Sequence, residues 1–356
     1  MVVFVGPNSE PITGQSLAFH TIFSKYNGDK KAFYFDTLSV GKLKQTISNL
    51  FNFFYYLLLL IKNNEVNVVY ITTSRTLVGF LRDSAFILTA KLFKKNIVNH
   101  LHGADFKSFH SRQSNLVKMC VDYVYNMIDT SIVLLPRMRE QYDMYPEMNI
   151  VSVSNCTSPI KSSLSYSKRS NKILYLSNIM YSKGIMQLIS AVDDLVNDGW
   201  NIELNIAGLP TGDNYKDKEE ISGLFNSAIN GKDYINYVGV VRGSDKNNMF
   251  SNNGIFVLPS FYTTEAQPIS LIEAMSAGCV IITTKHNYLS DIVTNKNGFL
   301  IKKESSEAIK ECLLYLLNNQ DVGDEISQYN SLVTDSLYSV ENYVDAISSV
   351  FNQFKK

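Results

Sequence analysis

Two glutamates with seven residues between them, Glu265 and Glu273, are the side chains whose spacing most directly suggests chemistry in this sequence. The pattern from residue 258 to residue 278 predicts a buried strand, a polar loop and a short helix, with Pro268 as the first helical residue and Gly278 after the helix end. Glu265 then lies in the loop and Glu273 inside the helix. Because a carboxylate accepts hydrogen bonds from two neighbouring hydroxyls, one glutamate would hold a sugar ring and the other a ribose. From residue types alone, a loop charge and a solvated helix glutamate remain the commoner explanation.

The start of this predicted helix is a candidate phosphate site. Backbone amides at residues 266 to 270 would point out of the helix N-terminus, where the positive end of the helix dipole favours an anion. The residues assigned to this junction are Ala266, Gln267, Pro268 and Ile269.

The segment resembles the Glu-x7-Glu motif of glycosyltransferase family 4, a family of retaining enzymes with the GT-B fold. The similarity extends to the Leu-Pro-Ser that begins at residue 258 and to the Glu-Ala-Met-Ser-Ala-Gly that begins at residue 273. It implies that Glu265 contacts the donor sugar and that Glu273 contacts the nucleotide ribose. It also implies an α/β fold of GT-B type, with two Rossmann-like lobes whose parallel sheets face a central cleft.

A second strand followed by a loop, residues 173 to 184, ends in Lys183 and Gly184. By itself, a Lys-Gly pair at a helix start is a weak signal, and a surface lysine is the default interpretation. The segment is similar to the family's phosphate-binding Gly-Arg and Lys-Gly elements, which implies that Lys183 neutralises the leaving diphosphate. Asn178 stands where the family usually has Arg, so one of two expected cations is missing, although an amide still donates a hydrogen bond.

Two further loops resemble parts of the family's donor site. The loop at residues 6 to 15 lacks the full G-x-G-x-x-G pattern, and Gly14 is assigned either to a tight turn or to contact with the donor phosphate. After the strand that ends near residue 238, Val240 is expected to read the nucleobase through its main chain. Arg242 would lie near the phosphates or serve as an ordinary exposed loop residue.

The fourth predicted strand of the first half leads into His102, and ligands gather at the carboxyl ends of parallel strands. A lone histidine is usually structural. The His-Gly-x-Asp sequence at this place, however, resembles the family's strand-end histidine, which implies that His102 reaches a sugar hydroxyl. His100 is assigned to packing, while Asp105 and His110 are assigned either to the acceptor side or to a plain surface.

Length and composition restrict the classes of protein that fit. A chain of 356 residues accommodates about two domains. Lys plus Arg equals Asp plus Glu at 33 each, so no overall field would hold nucleic acid. The four scattered cysteines indicate free thiols in a reducing compartment, and the start lacks the basic region of a signal peptide, so a cytoplasmic protein is expected. No zinc-type cluster or Asp-x-Asp pair stands out, so no metal is expected to be required.

Apolar β-branched runs alternate with helix-period stretches, which predicts parallel sheets flanked by helices in both halves. We predict an N-terminal acceptor-binding domain at residues 1–160 and a C-terminal donor-binding domain at 171–335, with an aperiodic linker at 158–171. The pattern leaves open which domain the last helix, in 336–356, packs on, and the N-terminal one is the expectation. The predicted strands are 2–5, 32–35, 66–72, 96–100 and 131–135 in the first half, and 151–153, 172–176, 202–207, 235–238, 254–258 and 279–284 in the second.

Together with the resemblance, these residues predict a retaining glycosyltransferase. It would move a sugar from a nucleoside diphosphate sugar, with a UDP-sugar favoured, to a hydroxyl of a growing glycan. A lipid-linked acceptor in bacterial surface-polysaccharide synthesis (O-antigen, capsule or exopolysaccharide) is the expected setting. Two alternatives stay open: a non-catalytic GT-B protein that binds a glycan or a partner, and a GT-B sugar-nucleotide epimerase, which needs no acceptor.

The most apolar run, residues 53 to 61, is far shorter than the roughly 20 residues that span a bilayer. The run from 51 to 61, with Lys42, Lys44 and Lys62 nearby, would suit peripheral contact with the inner face of the cell membrane. A buried helix is the commoner explanation of such a pattern.

Overall fold

The structure, a computed structural model, describes residues 1–10, 13–35 and 42–355, without the side chains of residues 42–45. The chain forms two compact units, the N-lobe (Met1–Cys156 and Val340–Lys356) and the C-lobe (Thr157–Ser339). Each lobe is built on a six-stranded sheet whose strands all pair in parallel, with α-helices between most successive strands. The predicted fold class, two α/β lobes with parallel sheets, is therefore confirmed.

In the N-lobe sheet the first strand lies next to an edge strand. Its elements are β1 (Val2–Pro7), α1 (Gly14–Lys25), β2 (Lys30–Phe35), α2 (Lys42–Lys62), β3 (Val68–Ile71), α3 (Leu77–Leu92), β4 (Asn96–Leu101), α4 (Phe106–Ser111), α5 (Asn115–Tyr125), β5 (Thr130–Val133) and β6 (Asn149–Ser152). The strand order is β2-β1-β3-β4-β5-β6. From β1 the chain moves to β2 at one edge of the sheet, and after β2 it moves the other way, towards β6. Because crossovers between parallel strands are right-handed, α1 lies on one face of the sheet and α2, α3 and α5 lie on the other.

The C-lobe repeats this architecture. Its elements are β7 (Lys172–Leu176), α6 (Ile185–Asn197), β8 (Glu203–Ala207), α7 (Lys218–Ile229), β9 (Ile235–Tyr237), α8 (Gly243–Asn252), β10 (Ile255–Leu258), α9 (Ile269–Ser276), β11 (Val280–Thr284), β12 (Gly298–Ile301), α10 (Ser306–Asn318) and α11 (Gln320–Leu337). The strand order is β12-β11-β10-β7-β8-β9. β7 and β10 are neighbours in the centre, so the loops that follow them, 177–184 and 259–268, leave the same edge of the sheet.

Two strands differ from the prediction. The sequence assigned residues 151–153 to the second half, but β6 pairs with β5 and completes the N-lobe sheet. Periodicity identifies a strand without identifying its sheet, because the pairing partner is a tertiary contact. β12 was not predicted, since a four-residue strand that begins with Gly298 carries little pattern of its own.

The segment predicted as a linker packs into the C-lobe. Ile160 N donates to Ser276 Oγ at 2.9 Å, and the guanidinium of Arg169 is fully buried. That guanidinium donates to the carbonyls of Asn253, Ala277 and Gly278 at 2.5, 2.9 and 3.1 Å. The aperiodic sequence there therefore reflects irregular packed structure that caps the C-terminal end of α9, and it is not a free connection.

The last helix, α12 (Val340–Asn352), belongs to the N-lobe. It packs against α1 and lies over the aromatic core of the lobe, where the rings of Phe351 and Phe4 are 5.8 Å apart. Tyr343 Oη donates to Ala18 O at 3.1 Å, which fixes the helix to α1. The chain thus returns to its first lobe at the end.

The helix α2 contains the apolar run that the sequence assigned either to a buried helix or to a membrane face. Tyr56 and Leu60 are fully buried, whereas Phe51 and Phe54 on the other side are 61% and 54% exposed. The side chains of Lys42 and Lys44 lie outside the described residues. Among the described helices, none combines the length and apolarity needed to cross a bilayer.

Candidate functional site

Lys183 and Glu265 form a nearly buried ion pair at the carboxyl edge of the C-lobe sheet. Lys183 Nζ lies 2.5 Å from Glu265 Oε2, and the two side chains are 12% and 8% exposed. Ser260 Oγ donates to the same carboxylate oxygen at 2.7 Å. The structure therefore brings together two of the residues singled out in the sequence, because the loops after β7 and β10 leave adjacent strands.

The loop that carries Lys183 is held from two sides. Ser182 N donates to Asp213 Oδ2 at 2.7 Å, and Phe261 N donates to Ser182 O at 2.7 Å. Burial acts to raise the pKa of Asp213, but hydrogen bonds from Ser182 and from two further backbone amides lower it overall. Asp213, which no sequence motif marks, thus anchors the lysine loop to the loop after β8.

Gly184 allows this loop to turn directly into α6. It has a φ of 77°, in the left-handed region that favours glycine. A Cβ atom at this position would lie 2.3 Å from the carbonyl oxygen of Pro259 in the neighbouring loop. The glycine next to Lys183 is therefore required both by its backbone conformation and by the close approach of the two loops.

The N-terminus of α9 lies a few residues after Glu265. Pro268 is the N-cap residue and the helix begins at Ile269, so the prediction that Pro268 is the first helical residue is wrong by one position. Proline has no N–H, and no side chain hydrogen bond caps this end within the described residues. The amides of Ile269 and Ser270 at the first turn have no capping side chain, which leaves this helix end suited to an anion. Ala266 and Gln267 are buried in the approach to it.

Glu273 is a buried carboxylate that faces a lysine. Its side chain is 9% exposed, and Lys246 Nζ of α8 lies 2.5 Å from its Oε1. Burial raises the pKa of Glu273, and the ammonium of Lys246 opposes that rise. Lys246 was missed in the sequence because no motif marks it, and only the ion pair in the folded chain reveals its partner.

Three other predicted donor residues lie on exposed loops or helix ends. The side chain of Asn178 is exposed, while its carbonyl accepts from Tyr175 Oη at 2.9 Å. Val240 lies between β9 and α8, next to Gly239 with its φ of 69°, and is half exposed. Gly14 is the first residue of α1 in the N-lobe. The loop before Gly14 includes residues 11 and 12, which lie outside the described residues, and the assigned roles of these three residues stay predictions.

His102 lies just after β4 in the N-lobe. Both of its ring nitrogens are buried and have no hydrogen-bond partner among the described residues. Burial, with a further contribution from the charge of Arg75, lowers the pKa of His102 to about 3. His100 stacks close to it, with ring centroids 4.0 Å apart, and its Nδ1 is 2.7 Å from Tyr70 Oη. His102 is therefore a neutral ring whose hydrogen-bonding capacity no described residue uses.

Arg75, from the loop after β3, contacts both Gly103 and Asp105, which follow His102. The guanidinium pairs with the carboxylate of Asp105, and a Cβ atom on Gly103 would lie 2.4 Å from Arg75 Nη2. His110 is paired elsewhere, with its Nε2 2.8 Å from Asp122 Oδ1. The contact of Arg75 with this segment could not be predicted from the sequence, because Arg75 lies in a different loop, 27 positions before His102.

In the part of the chain that the structure describes, no group of three or more His, Cys, Asp or Glu side chains is placed to hold a metal ion. The expectation that no metal is required stays a prediction.

Comparison with known proteins finds a family match that lies within the C-lobe. Residues 159–332 match the family model described as "Glycosyl transferases group 1", and this range contains Lys183, Glu265 and Glu273. A curated relative, the capsular polysaccharide biosynthesis glycosyltransferase CapM of Staphylococcus aureus, is 26% identical over 183 residues. The match covers 51% of this chain and 46% of CapM, so the chain spans about half the length of this relative.

Solved structures with the same architecture match nearly the whole chain. One is HepE from Anabaena in complex with UDP, with a TM-score of 0.77, 12% identity and 99% of each chain covered. Another is sucrose-phosphate synthase from Thermosynechococcus elongatus, with a TM-score of 0.76, 14% identity and coverage of 99% of this chain and 98% of that one. At these identities the likeness shows the fold, and the fold is of the GT-B type.

Proposed function

We propose that the chain is a glycosyltransferase that moves a sugar from a nucleoside diphosphate sugar to a hydroxyl of a growing glycan. The observation that carries this proposal is the Glu265 carboxylate, held by Lys183 and Ser260 directly before the α9 N-terminus. At this edge of the sheet, the lysine and the uncapped helix end suit an anionic leaving group. The buried carboxylate beside them suits the hydroxyls of a sugar ring. The family match over residues 159–332 supports the same conclusion.

Lys183 and the α9 N-terminus would act on the leaving diphosphate. As the bond between the sugar and the diphosphate breaks, negative charge grows on the phosphate oxygens, and the ammonium and the helix-end amides would stabilise it. Lys183 is already held in place by Glu265, so this stabilisation requires little reorganisation. Asn178 would contribute a neutral hydrogen bond where a second cation is usual in the family, so we expect Lys183 to carry most of the charge compensation.

The two glutamates would read different hydroxyls. Glu265 would accept from the donor sugar, and Glu273 would accept from the ribose. Lys246 favours the ionised form of Glu273 against the effect of burial, and an ionised carboxylate accepts a pair of hydroxyl hydrogen bonds. Val240 would contact the base through its main chain, and Gly14 would approach a donor phosphate. HepE was solved with UDP, which supports UDP as the nucleotide.

The remaining features concern the acceptor and the course of transfer. His102 would bond a sugar hydroxyl through a ring nitrogen that has no partner among the described residues. We propose retention of anomeric configuration, with no covalent enzyme intermediate and no required metal. The acceptor would be a lipid-linked glycan of a bacterial surface polysaccharide, consistent with the similarity to CapM. Such an acceptor would place the reaction at the inner face of the cell membrane.

The test is turnover of UDP-, GDP- and ADP-sugars by the full chain, with and without a polyprenyl-diphosphate-linked oligosaccharide, in the presence and absence of EDTA. We expect nucleoside diphosphate release only when a donor and an acceptor are both present. Glu265→Ala should abolish transfer while the melting curve is retained, and the exposed Glu307→Ala on α10 serves as the matched control.

Three outcomes would refute parts of this proposal. Donor conversion without an acceptor would indicate an epimerase. Nucleotide binding without any turnover would indicate a non-catalytic protein. Full activity of Glu265→Ala would remove the assigned role of that carboxylate.

A further inference from the structure

Three helices of the N-lobe carry large apolar side chains on their solvent side. Of the 25 exposed large apolar side chains in the described residues, 14 lie on α2, α3 and α5. They are Ile47, Leu50, Phe51, Phe54, Tyr55 and Ile61 on α2, Leu77, Val78, Leu81, Leu88 and Leu92 on α3, and Leu116, Met119 and Tyr123 on α5. This set of side chains is the three-helix face.

The three helices are adjacent, so their exposed residues form one surface. They cover the same face of the sheet, and α3 contacts both α2 and α5. On the inner side, Phe53 of α2 and Phe86 of α3 pack with ring centroids 5.3 Å apart. The exposed residues recur at three- and four-residue intervals on the opposite side of each helix. Each helix is thus apolar towards the sheet and also apolar towards solvent.

Such helices are unusual on the outside of an α/β lobe. The outer side of a helix that covers a sheet is ordinarily charged or polar, and a helix that is apolar all round is ordinarily buried. An exposed apolar area that extends over three helices is more than the scattered single residues found on any surface, and it indicates a site of contact with another surface.

Charge identifies the kind of surface. The whole chain is balanced between acidic and basic residues, but residues 42–62, 77–95 and 106–125 together contain ten Lys and Arg and only two Asp. One of the two, Asp83, is buried, and the other, Asp122, accepts from His110 and Tyr145. Of the ten cations, Arg82, Lys91 and Lys107 are paired with Asp83, Asp129 and Asp143. The remaining cationic excess includes Lys62 on α2 and Lys118 on α5. Apolar and aromatic side chains beside an excess of cations match the headgroup region of an anionic bilayer.

We propose that the three-helix face binds the surface of an anionic lipid bilayer. The helices lie flat in the interface, with their aromatic and aliphatic side chains at the boundary between headgroups and acyl chains and with the lysines at the lipid phosphates. The sheet side of each helix stays packed in the lobe. The proposal assigns the peripheral membrane contact expected from the sequence to a defined surface of three helices, and it does not depend on sugar transfer.

The test is co-sedimentation of the full chain with vesicles. One set is phosphatidylcholine alone, and the other is an equal mixture of phosphatidylcholine and phosphatidylglycerol. No nucleotide sugar or glycan is present, so failure here and failure of sugar transfer are distinguishable. We expect binding to the mixed vesicles that weakens as salt is added. The double variant Phe51→Ser with Phe54→Ser should reduce the partition coefficient at least about tenfold, because two exposed rings no longer enter the interface.

Two further variants make the result specific. Leu332→Ser with Leu337→Ser removes exposed apolar side chains of α11 in the C-lobe and should leave binding unchanged. Lys62→Glu with Lys118→Glu should weaken binding to the mixed vesicles and leave the weaker binding to pure phosphatidylcholine unaffected. Melting curves verify that each variant is folded.

Equal recovery of the wild-type protein in the supernatant with and without mixed vesicles would overturn the proposal. So would undiminished binding by the folded Phe51→Ser and Phe54→Ser double variant. A dimer in light scattering that this variant converts to a monomer, without vesicle binding by the wild type, would show that the face joins two copies of the chain instead.

Discussion

Replacing Lys183 by Met should cause two separable losses, one of stability and one of rate. In the free protein the ammonium neutralises a carboxylate that is only 8% exposed. Methionine preserves the aliphatic stem but leaves Glu265 with Ser260 Oγ as its only side-chain hydrogen-bond partner among the described residues. Removing one partner of a buried pair costs about 3 kcal/mol or more. For a lobe of this size, that corresponds to a fall in melting temperature of roughly 6–12 °C.

The rate should fall for a different reason. In the proposed reaction Lys183 faces the charge that develops on the leaving diphosphate, and loss of one such stabilising group costs about 2.7–4 kcal/mol, or roughly 10²–10³ in kcat. The double variant Lys183→Met with Glu265→Gln separates the two effects. Since no charge is left unpaired, it should regain much of the lost melting temperature, while its rate should stay at the level of the single variant or below.

The assays are thermal melting of each variant and initial rates of nucleoside diphosphate release with donor and acceptor present. A kcat of Lys183→Met within a few-fold of the wild type would rule out the role of this lysine in the reaction. Recovery of rate together with stability in the double variant would show that the lysine matters only through the fold.

Two further predictions concern backbone geometry and pH. Gly184→Ala should lower the melting temperature and the transfer rate together, because a Cβ atom would lie 2.3 Å from Pro259 O and φ is 77°. Gly223→Ala in α7, where a Cβ atom meets nothing within 4 Å, should instead be neutral or stabilising by up to about 1 kcal/mol, and equal melting curves for the two variants would contradict this account. For His102, the pKa of about 3 lies below the ordinary value of 6.5, so the unfolded chain binds the proton more readily and stability should fall as pH falls from 6.5 towards 3. Burial raises the pKa of Asp83 to about 6, so Asp83 makes the folded protein more stable as the pH falls from 6 to 3.8 and opposes the effect of His102. The measurement is therefore the difference in melting temperature between the wild type and His102→Gln, in which the contribution of Asp83 cancels. A difference that does not change between pH 7 and pH 5 would rule out a buried neutral His102.

The local sequence carried enough information for the elements and for part of the site. Alternating β-branched runs and helix-period stretches predict α/β lobes because side-chain periodicity is a property of each element by itself. Glu265 and Glu273 were recognisable because a strand, a loop and a helix within 21 residues hold both of them, so their relation is local. Lys183 could also be recognised as a candidate site residue from its own segment, but the sequence did not show that it pairs with Glu265.

Only the tertiary structure decided which side chains meet. Lys183 pairs with Glu265, 82 positions away, because β7 and β10 are neighbours, and strand order is not written in the periodicity of either strand. Lys246, Asp213 and Arg75 were missed for this reason, since each reaches its partner from a different loop or helix. The sequence also left open whether the apolar residues of the three-helix face are buried or exposed. An apolar run at helical spacing shows that both sides of a helix are apolar, but the outer side is buried only if another part of the chain packs against it. No described residues cover the outer side of these three helices.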